Sequence, residues 1–426
     1  MAIEINFKKL DVATSKILRQ FFLEQMNLGL KFWSKDDRHF LKDGTEIRFK
    51  NDLIARESKM GKEGLRYESI SNKKPLGEGG YASVRKIKHT VTLGENEILP
   101  KKYGKNARRR VVKIQEHSQR NNLIHLQNEF NLTSRAEHLH IKVPTKASEL
   151  EDTTSFTVMK LAPGKEAYDI INEDRNKTPL TTRQRFEISL ALLQAVQEQV
   201  TSKGIIHRDL KPDNIFIDLG MPIQVNIIDY GLAMDENEIE EKTRGTTTFL
   251  APELLDDPLS ASFKADVFSA ARILFLIWGG LNDTYDQELY ADCSDVYDLT
   301  LTQRMENLFE GIKDLSYGGQ ALISSNLMEM LESQPEYRCS LEDAIELFSS
   351  LADNMDTHIV DPLTNFEFIA EKTLAIEMKK SSKPLKQSNS FFMSYDNFSE
   401  NSCDESNEYS NEESEESSEK LQFECC

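Results

Sequence analysis

Ile206-His-Arg-Asp-Leu-Lys-Pro-Asp-Asn-Ile215 decides the fold, and the chain is organised around it. Asp209, Lys211 and Asn214 fall within six residues. Read as bare chemistry, this is a loop with two oxygen donors suited to a hard cation and one fixed positive charge. Such a loop suits the handling of nucleotide phosphates, where the work is positioning and charge neutralisation. A helix delivers it. Thr181 and Gln184 form a capping-box pattern, Phe186, Leu190, Leu193 and Val200 mark one helical face, and Gly204 ends the run. Downstream, IFID (215–218) and QVNIID (224–229) flank a Leu-Gly-Met-Pro turn and predict a hairpin that presents Asp229-Tyr230-Gly231.

Composition sets outer bounds. The 426 residues allow one large domain or two medium ones plus tails. Net charge is −19, of which residues 396–426 carry −10, with eleven acids against one lysine. This acidity argues against broad nucleic-acid binding. Five cysteines (Cys293, Cys339, Cys403, Cys425, Cys426) show no zinc-type spacing and suggest reduced thiols inside a cell. No apolar run approaches the roughly 18 residues of a membrane span. The richest, Ala271–Trp278, reads as a buried core helix. The early mixture of charges does not resemble a signal peptide.

Further motifs lie on either side of the central loop. Gly77, Gly79 and Gly80 sit between strand-like runs in KKPLGEGGYASVRKIKH (73–89), where glycines let a turn close over phosphates. In RRVVKIQ (109–115), Lys113 interrupts a β-branched strand and needs a partner if it points inward. The next helix, about 120–138, offers Glu129, with Glu137 as runner-up. Residues 154–161, TSFTVMKL, read as a buried strand ended by Ala162, Pro163 and Gly164.

In this order, these motifs resemble those of eukaryotic-type serine/threonine protein kinases. The likeness covers about residues 67–352. Gly77, Gly79 and Val84 match the Gly-rich loop, with Ala82 at its third glycine, and Val111 and Phe249 replace the usual alanine and tyrosine of their motifs. GTTTFLAPE (245–253) matches the end of the activation segment, ADVFSAA (265–271) the start of the central helix, and Arg338 the arginine that pairs with Glu253. The resemblance implies an α+β, two-lobed fold: a mainly β small lobe with one key helix (67–159) and a larger helical lobe (160–352). It implies ATP and Mg2+ as cofactors. Asp209 would orient the acceptor hydroxyl and take its proton, Lys211 would neutralise the moving phosphoryl group, and Asn214 and Asp229 would hold the metal. Lys113, fixed by Glu129, would place the phosphates. Leu76, Gly77, Glu78, Gly79, Gly80, Val84, Met159, Lys160, Ala162 and Phe216 would surround the nucleotide, with Met159 as gatekeeper. Lys211 and Thr246 point to serine or threonine hydroxyls of protein substrates as acceptors, and Thr246 is expected to touch Asp209 and Lys211. Glu240 and Glu241 are expected to stand in for an activation-loop phosphate near Thr243.

Residues 1–66 read as a charged, mainly helical extension whose stripe Leu10, Ala13, Ile17 and Phe21 packs on the neighbouring domain. Residues 91–110 read as a long, basic hairpin loop. Residues 353–380 are expected to form a helical extension. Residues 381–426, with NSCDESNEYSNEESEESSEK, form a polar acidic tail too poor in apolar residues to fold. Such tails resemble the export signals of effectors that intracellular bacteria inject, which would place the chain in host cytosol with host proteins as partners. Cytoplasmic location, no nucleic acid and no membrane association, despite the terminal Cys425-Cys426, complete the expectations. The rival readings are a pseudokinase scaffold and a small-molecule phosphotransferase.

Overall fold

Short strands set the small lobe's shape. In this computed structural model the described residues are 2–353, apart from 8, 27, 59–63, 80–81, 101–108, 118–120, 148–153, 240–244, 281–304, 306–307, 310 and 313. The expected basic run 101–108 and all of 354–426 thus lie outside the described residues. The first part of the chain forms β1 (Ile3–Ile5), α1 (Val12–Met26), β2 (Phe32–Trp33), β3 (His39–Phe40), β4 (Glu46–Phe49), β5 (Leu53–Glu57) and β6 (Leu65–Ile70). Then come β7 (Gly77–Glu78), β8 (Ala82–Leu93), β9 (Ile98–Pro100), β10 (Arg110–Glu116), α2 (Asn121–Ala136), β11 (Thr145–Lys146) and β12 (Thr154–Lys160).

The expectation of a mainly helical extension over residues 1–66 is corrected: among the described residues α1 is its one helix, and its other regular elements are short strands. β2 and β5 continue the small-lobe sheet, in the order β11-β12-β10-β8-β6-β5-β2. The two ends of this sheet meet, with the Lys31 N–H donating to the Ala147 carbonyl at 3.2 Å and Phe32 stacked on Phe156 at 5.1 Å. Ile54, Ile70, Val112, Phe156 and Val158 fill one face of the curl. Alternation along each strand turns Leu53 and Tyr67 to the opposite face, where α1 packs. The long loop expected over residues 91–110 is corrected at its start, because β8 runs to Leu93 and pairs with β9.

The expected stripe packs on its neighbour in part: Ala13 is exposed, and Leu10 lies just before α1. Phe21 is buried, Leu10 and Ile17 are partly so, and Phe22 lies on Tyr67 at 3.8 Å between ring centroids. Replacing Phe22 by leucine keeps the apolar volume and loses the stack. Denaturant unfolding should show a loss of about 0.5–1.5 kcal/mol.

The large lobe is built from β13 (Lys165–Glu166), α3 (Ala167–Asn176), α4 (Thr182–Gln199), β14 (Ile205–Ile206), β15 (Ile215–Asp218), β16 (Gln224–Ile227), β17 (Met234–Asp235), α5 (Pro252–Asp256), α6 (Phe263–Ile277), α7 (Tyr317–Met330) and α8 (Leu341–Asp353). The capping box at Thr181 and Gln184 is present. β15 and β16 pair as the expected hairpin. Every residue of α6 from Ala265 to Ile277 is buried, so this is the core helix that its apolar run predicts. Gly164 has a φ of +90°, and a Cβ there would fall 2.1 Å from the Ile217 carbonyl oxygen, so only glycine lets β13 close on β15.

Candidate active site

The loop after β14 is held from below by one carboxylate. Asp266, fully buried in the first turn of α6, accepts the backbone N–H groups of His207 at 2.7 Å and Arg208 at 2.9 Å. Burial pushes the Asp266 carboxyl above its ordinary value, while the charge of His207 and these two N–H groups pull it back. Arg208 sits in the left-handed region at φ 63°. Such strain persists only where surrounding bonds over-determine it. The sequence reading includes Asp266 in ADVFSAA but assigns it no role. Its acidic side chain inside an apolar helix was the available signal.

Asp209 is gripped on both oxygens. Oδ1 accepts the Thr246 backbone N–H at 3.0 Å and its hydroxyl at 2.7 Å. Oδ2 accepts Asn214 Nδ2 at 2.9 Å and lies 2.9 Å from Lys211 Nζ. Lys211 donates to the Thr246 hydroxyl at 2.7 Å. The expected contacts of Thr246 are therefore all made. Gly245 makes the approach possible: its φ is +123°, and a Cβ would fall 2.4 Å from the Arg208 carbonyl oxygen. Thr246→Val keeps the backbone bond and removes the hydroxyl that joins Asp209 to Lys211. It should lower kcat about 10–100-fold through misplacement, and Thr246→Ser should restore most of it. Equal rates for the valine variant and the parent would show that the hydroxyl is idle.

A second charge group adjoins the first through Ile228, which precedes Asp229 and donates its N–H to the Asn214 carbonyl at 2.9 Å. Lys113 of β10 is 2.6 Å from Glu129 of α2 and 3.0 Å from Asp229 Oδ1. Burial alone would lower the Lys113 ammonium, but Glu129 and Asp229 outweigh it and hold it above its ordinary value. Lys113 in turn holds the Asp229 carboxyl below the usual carboxylate range. Both stay charged near neutral pH. Glu129 is also fixed by Gln115 Nε2 at 3.2 Å. The runner-up, Glu137, is outside this group: it follows α2 in a left-handed conformation (φ 63°) and pairs with Lys203 at 3.2 Å. Tyr230 is buried against His207 at 4.9 Å and donates its hydroxyl to the Gln199 carbonyl at 3.2 Å. Burial pushes this phenol above its ordinary value.

Between the two lobes lies a cleft of about 790 Å³, counting space open to solvent. Leu76, Gly77, Val84, Lys113, Glu129, Met159, Lys160, Ala162, Phe216 and Asp229 line it, as expected. Glu78 ends β7 and Gly79 follows it into the hairpin turn, neither of them among the residues that line the cleft, and Gly80 lies outside the described residues. Val111, which replaces the usual alanine, lines the cleft as well. Thr133, Leu139, Glu166 and Ile228 also line the cleft and were missed. Thr133 is one helical turn beyond Glu129 and Ile228 directly precedes Asp229, so their spacing carried a signal. The Lys160 N–H is already given to the Leu139 carbonyl at 2.7 Å, which leaves its carbonyl for a ligand edge. Glu240, Glu241 and Thr243, with the expected phosphate mimicry, lie outside the described residues.

Asn214 and Asp229 suit a hard divalent ion. Both Asn214 N–H donors are used on Asp209, on its carbonyl at 2.8 Å and its carboxylate at 2.9 Å, so the amide oxygen is left for a ligand. Among the described residues no cluster of three or more His, Cys, Asp or Glu side chains could hold a metal. Two protein oxygens are what Mg2+ commonly takes when phosphates and water supply the rest. Farther from the cleft, Arg338 Nη1 and Nη2 meet the two oxygens of Glu253 at 2.7 and 2.9 Å, and the guanidinium lies over Phe268 at 5.0 Å.

Residues 70–347 match the protein kinase domain. A serine/threonine-protein kinase of Drosophila erecta is 27% identical over 280 residues, 64% of this chain and 33% of that protein. One of Drosophila yakuba is 27% identical over 282 residues, 64% of this chain and 34% of the relative. CBL-interacting serine/threonine-protein kinase 9 of Arabidopsis thaliana is 29% identical over 212 residues, 48% and 43% of the two chains. The chain spans about a third of the length of the Drosophila relatives it matches.

Proposed function

The chain belongs to the protein kinase domain family, and on that premise we propose that it transfers the γ-phosphoryl group of ATP to serine and threonine hydroxyls of protein substrates. One observation carries the reading: Lys113, Glu129 and Asp229 form one charge group while Asp209, Lys211, Asn214 and Thr246 form another, joined to the first where Ile228, next to Asp229, donates its N–H to the Asn214 carbonyl at 2.9 Å.

Phosphoryl transfer asks for positioning and charge stabilisation more than covalent help. Asp209 accepts hydrogen bonds from Thr246 and Asn214 and lies beside Lys211, so its carboxylate is fixed where it orients an acceptor hydroxyl and takes its proton. Lys211 neutralises charge on the group in flight. Lys113, locked by Glu129, places the α- and β-phosphates. Gly77 and Gly79 let the hairpin close over them and exclude water. Asn214 and Asp229 would hold Mg2+, which would supply positive charge against the phosphates. The Lys211–Thr246 bond supports the serine/threonine class, and the names of the relatives support it too.

The test is transfer of label from ATP with magnesium to a generic basic protein and to a lysate, followed by phosphoamino-acid analysis. Phosphoserine or phosphothreonine is expected. ATP use driven by a small molecule, with no protein labelled, would establish the small-molecule phosphotransferase instead. Tight nucleotide binding without transfer would establish the pseudokinase scaffold. The Ser/Glu-rich end of the chain supports a further reading, export by an intracellular bacterium into a host cell with host proteins as substrates. A translocation reporter fused to the chain tests it. Among the described residues no helix is long and apolar enough to cross a membrane.

A further inference from the structure

On the premise of that transfer, we propose that Gln115 is a positioning residue: it clamps the second oxygen of Glu129 and so fixes α2, and with it the Lys113 ammonium, at the back of the cleft. Lys113 and Gln115 are two residues apart on β10, so alternation puts both side chains on one face of the sheet. Each meets its own oxygen of one carboxylate. Glu129 Oε1 lies 2.6 Å from Lys113 Nζ, and Glu129 Oε2 accepts Gln115 Nε2 at 3.2 Å.

The two contacts differ in kind. An ammonium on a flexible four-carbon stem is a point charge, which holds a carboxylate without orienting it. Lys113 is also shared with Asp229, at 3.0 Å. With the lysine alone, the carboxylate can pivot about Oε1. The amide of Gln115 holds the other oxygen and sets the plane.

This bond bears on α2 because the far end of the helix belongs to the large lobe. Leu132 and Ala136 are buried in that lobe's core, and Arg135 donates to Asp235 and to the Gly204 carbonyl, the latter at 3.1 Å. Among the described residues, the bonds of Glu129 to Lys113 and Gln115 are the ones that α2 side chains make to the small-lobe sheet. Glu129 is therefore the joint between helix and sheet, and Gln115 supplies half of it.

Packing alone does not call for glutamine here. Gln115 Oε1 is shut off from solvent and has no hydrogen-bond partner among the described residues. The amide cannot be turned over to use that oxygen, because it would then face the Glu129 carboxylate, acceptor against acceptor. A buried carbonyl without a partner costs stability, and leucine, of about the same size, would avoid it. The bond from Nε2 to Glu129 is what the polar residue adds.

The experiment measures ADP and adenosine binding by calorimetry in the full chain, in Gln115→Leu, in Glu129→Ala and in the double variant, beside thermal melts and transfer kinetics. In Gln115→Leu, ADP should bind about 3–10-fold more weakly, since a hydrogen bond to a charged group is lost behind the phosphate site. Adenosine, which has no phosphates, should bind as in the parent, and the melting temperature should be no lower. The kcat should fall about 10-fold as the phosphates are misplaced. In the Glu129→Ala background the same substitution should change neither ADP binding nor kcat, because its partner is gone. Equal losses for ADP and adenosine with a lowered melting temperature would make Gln115 a packing residue and overturn the proposal. Unchanged ADP binding, or the same loss with and without Glu129, would overturn it too. Binding needs no transfer: a parent that binds ADP and labels no protein overturns the transfer reading, while the ADP and adenosine comparison still decides whether Gln115 positions Lys113.

Discussion

Replacing Asp209 by alanine is expected to lower kcat for phosphoryl transfer about 10²–10⁴-fold, with ATP affinity changed by no more than a few-fold. The asymmetry follows from position. Asp209 is bonded to Thr246, Lys211 and Asn214 and is not among the residues that line the nucleotide cleft, whereas Lys113 and Asp229 are. The substitution leaves Lys211 and Asn214 Nδ2 without their shared acceptor, so both effects act on the transition state. The measurement is kcat and KM for ATP under saturating protein substrate, beside a thermal melt to show that the fold is kept. A variant retaining a tenth or more of the parental rate would remove Asp209 from the proposed role. A fall in kcat/KM caused only by a raised KM would move it to nucleotide binding.

Replacing Arg338 by leucine should cost about 3–5 kcal/mol of stability, because it leaves the charge of Glu253 with no partner in a mostly buried site. The arginine does more than pair with Glu253. It donates to the carbonyls of Glu332 at 2.9 Å and Lys264 at 2.7 Å, and so ties the end of the activation segment to α6 and to the turn before α8. Changing Glu253 to leucine as well should recover part of the loss, the part due to the stranded carboxylate. The bonds to Glu332 and Lys264 are not recovered. Urea unfolding of the parent, the two single variants and the double variant gives the coupling directly. A single-variant cost under about 1 kcal/mol would place the pair with surface ion pairs, which are worth little. Since neither residue lines the nucleotide cleft, the KM for ATP of folded protein should stay close to the parental value.

The candidate site was legible because the proposed phosphoryl transfer constrains residue type and spacing together. Asp209, Lys211 and Asn214 are local to one loop, so their meeting needs only a turn, which Pro212–Asn214 supplies as a short 3-10 helix. Periodicity likewise revealed α4 and the buried helix α6, since long runs average out individual exceptions. The extension escaped because β2 and β3 have two residues each, and β4 and β5 carry charges that mask alternation. A strand of that length has no period to read. Its identity comes from the neighbour that accepts its hydrogen bonds.

The sequence by itself determined the family and the order of the side chains proposed to react, because those depend on side-chain chemistry at fixed separations. Only the tertiary structure decided what depends on distance between remote elements. Glu129 rather than Glu137 meets Lys113, because α2 ends at Ala136 and the chain turns Glu137 away to Lys203. Asp266 supports the central loop from 57 residues beyond Asp209. β2 and β5 join a sheet that residues 67–160 would otherwise leave open-edged, and in doing so they bring Arg56 to Glu68. Each of these is a choice among several local candidates of equal propensity. Packing made the choice, by allowing one of them within bonding distance.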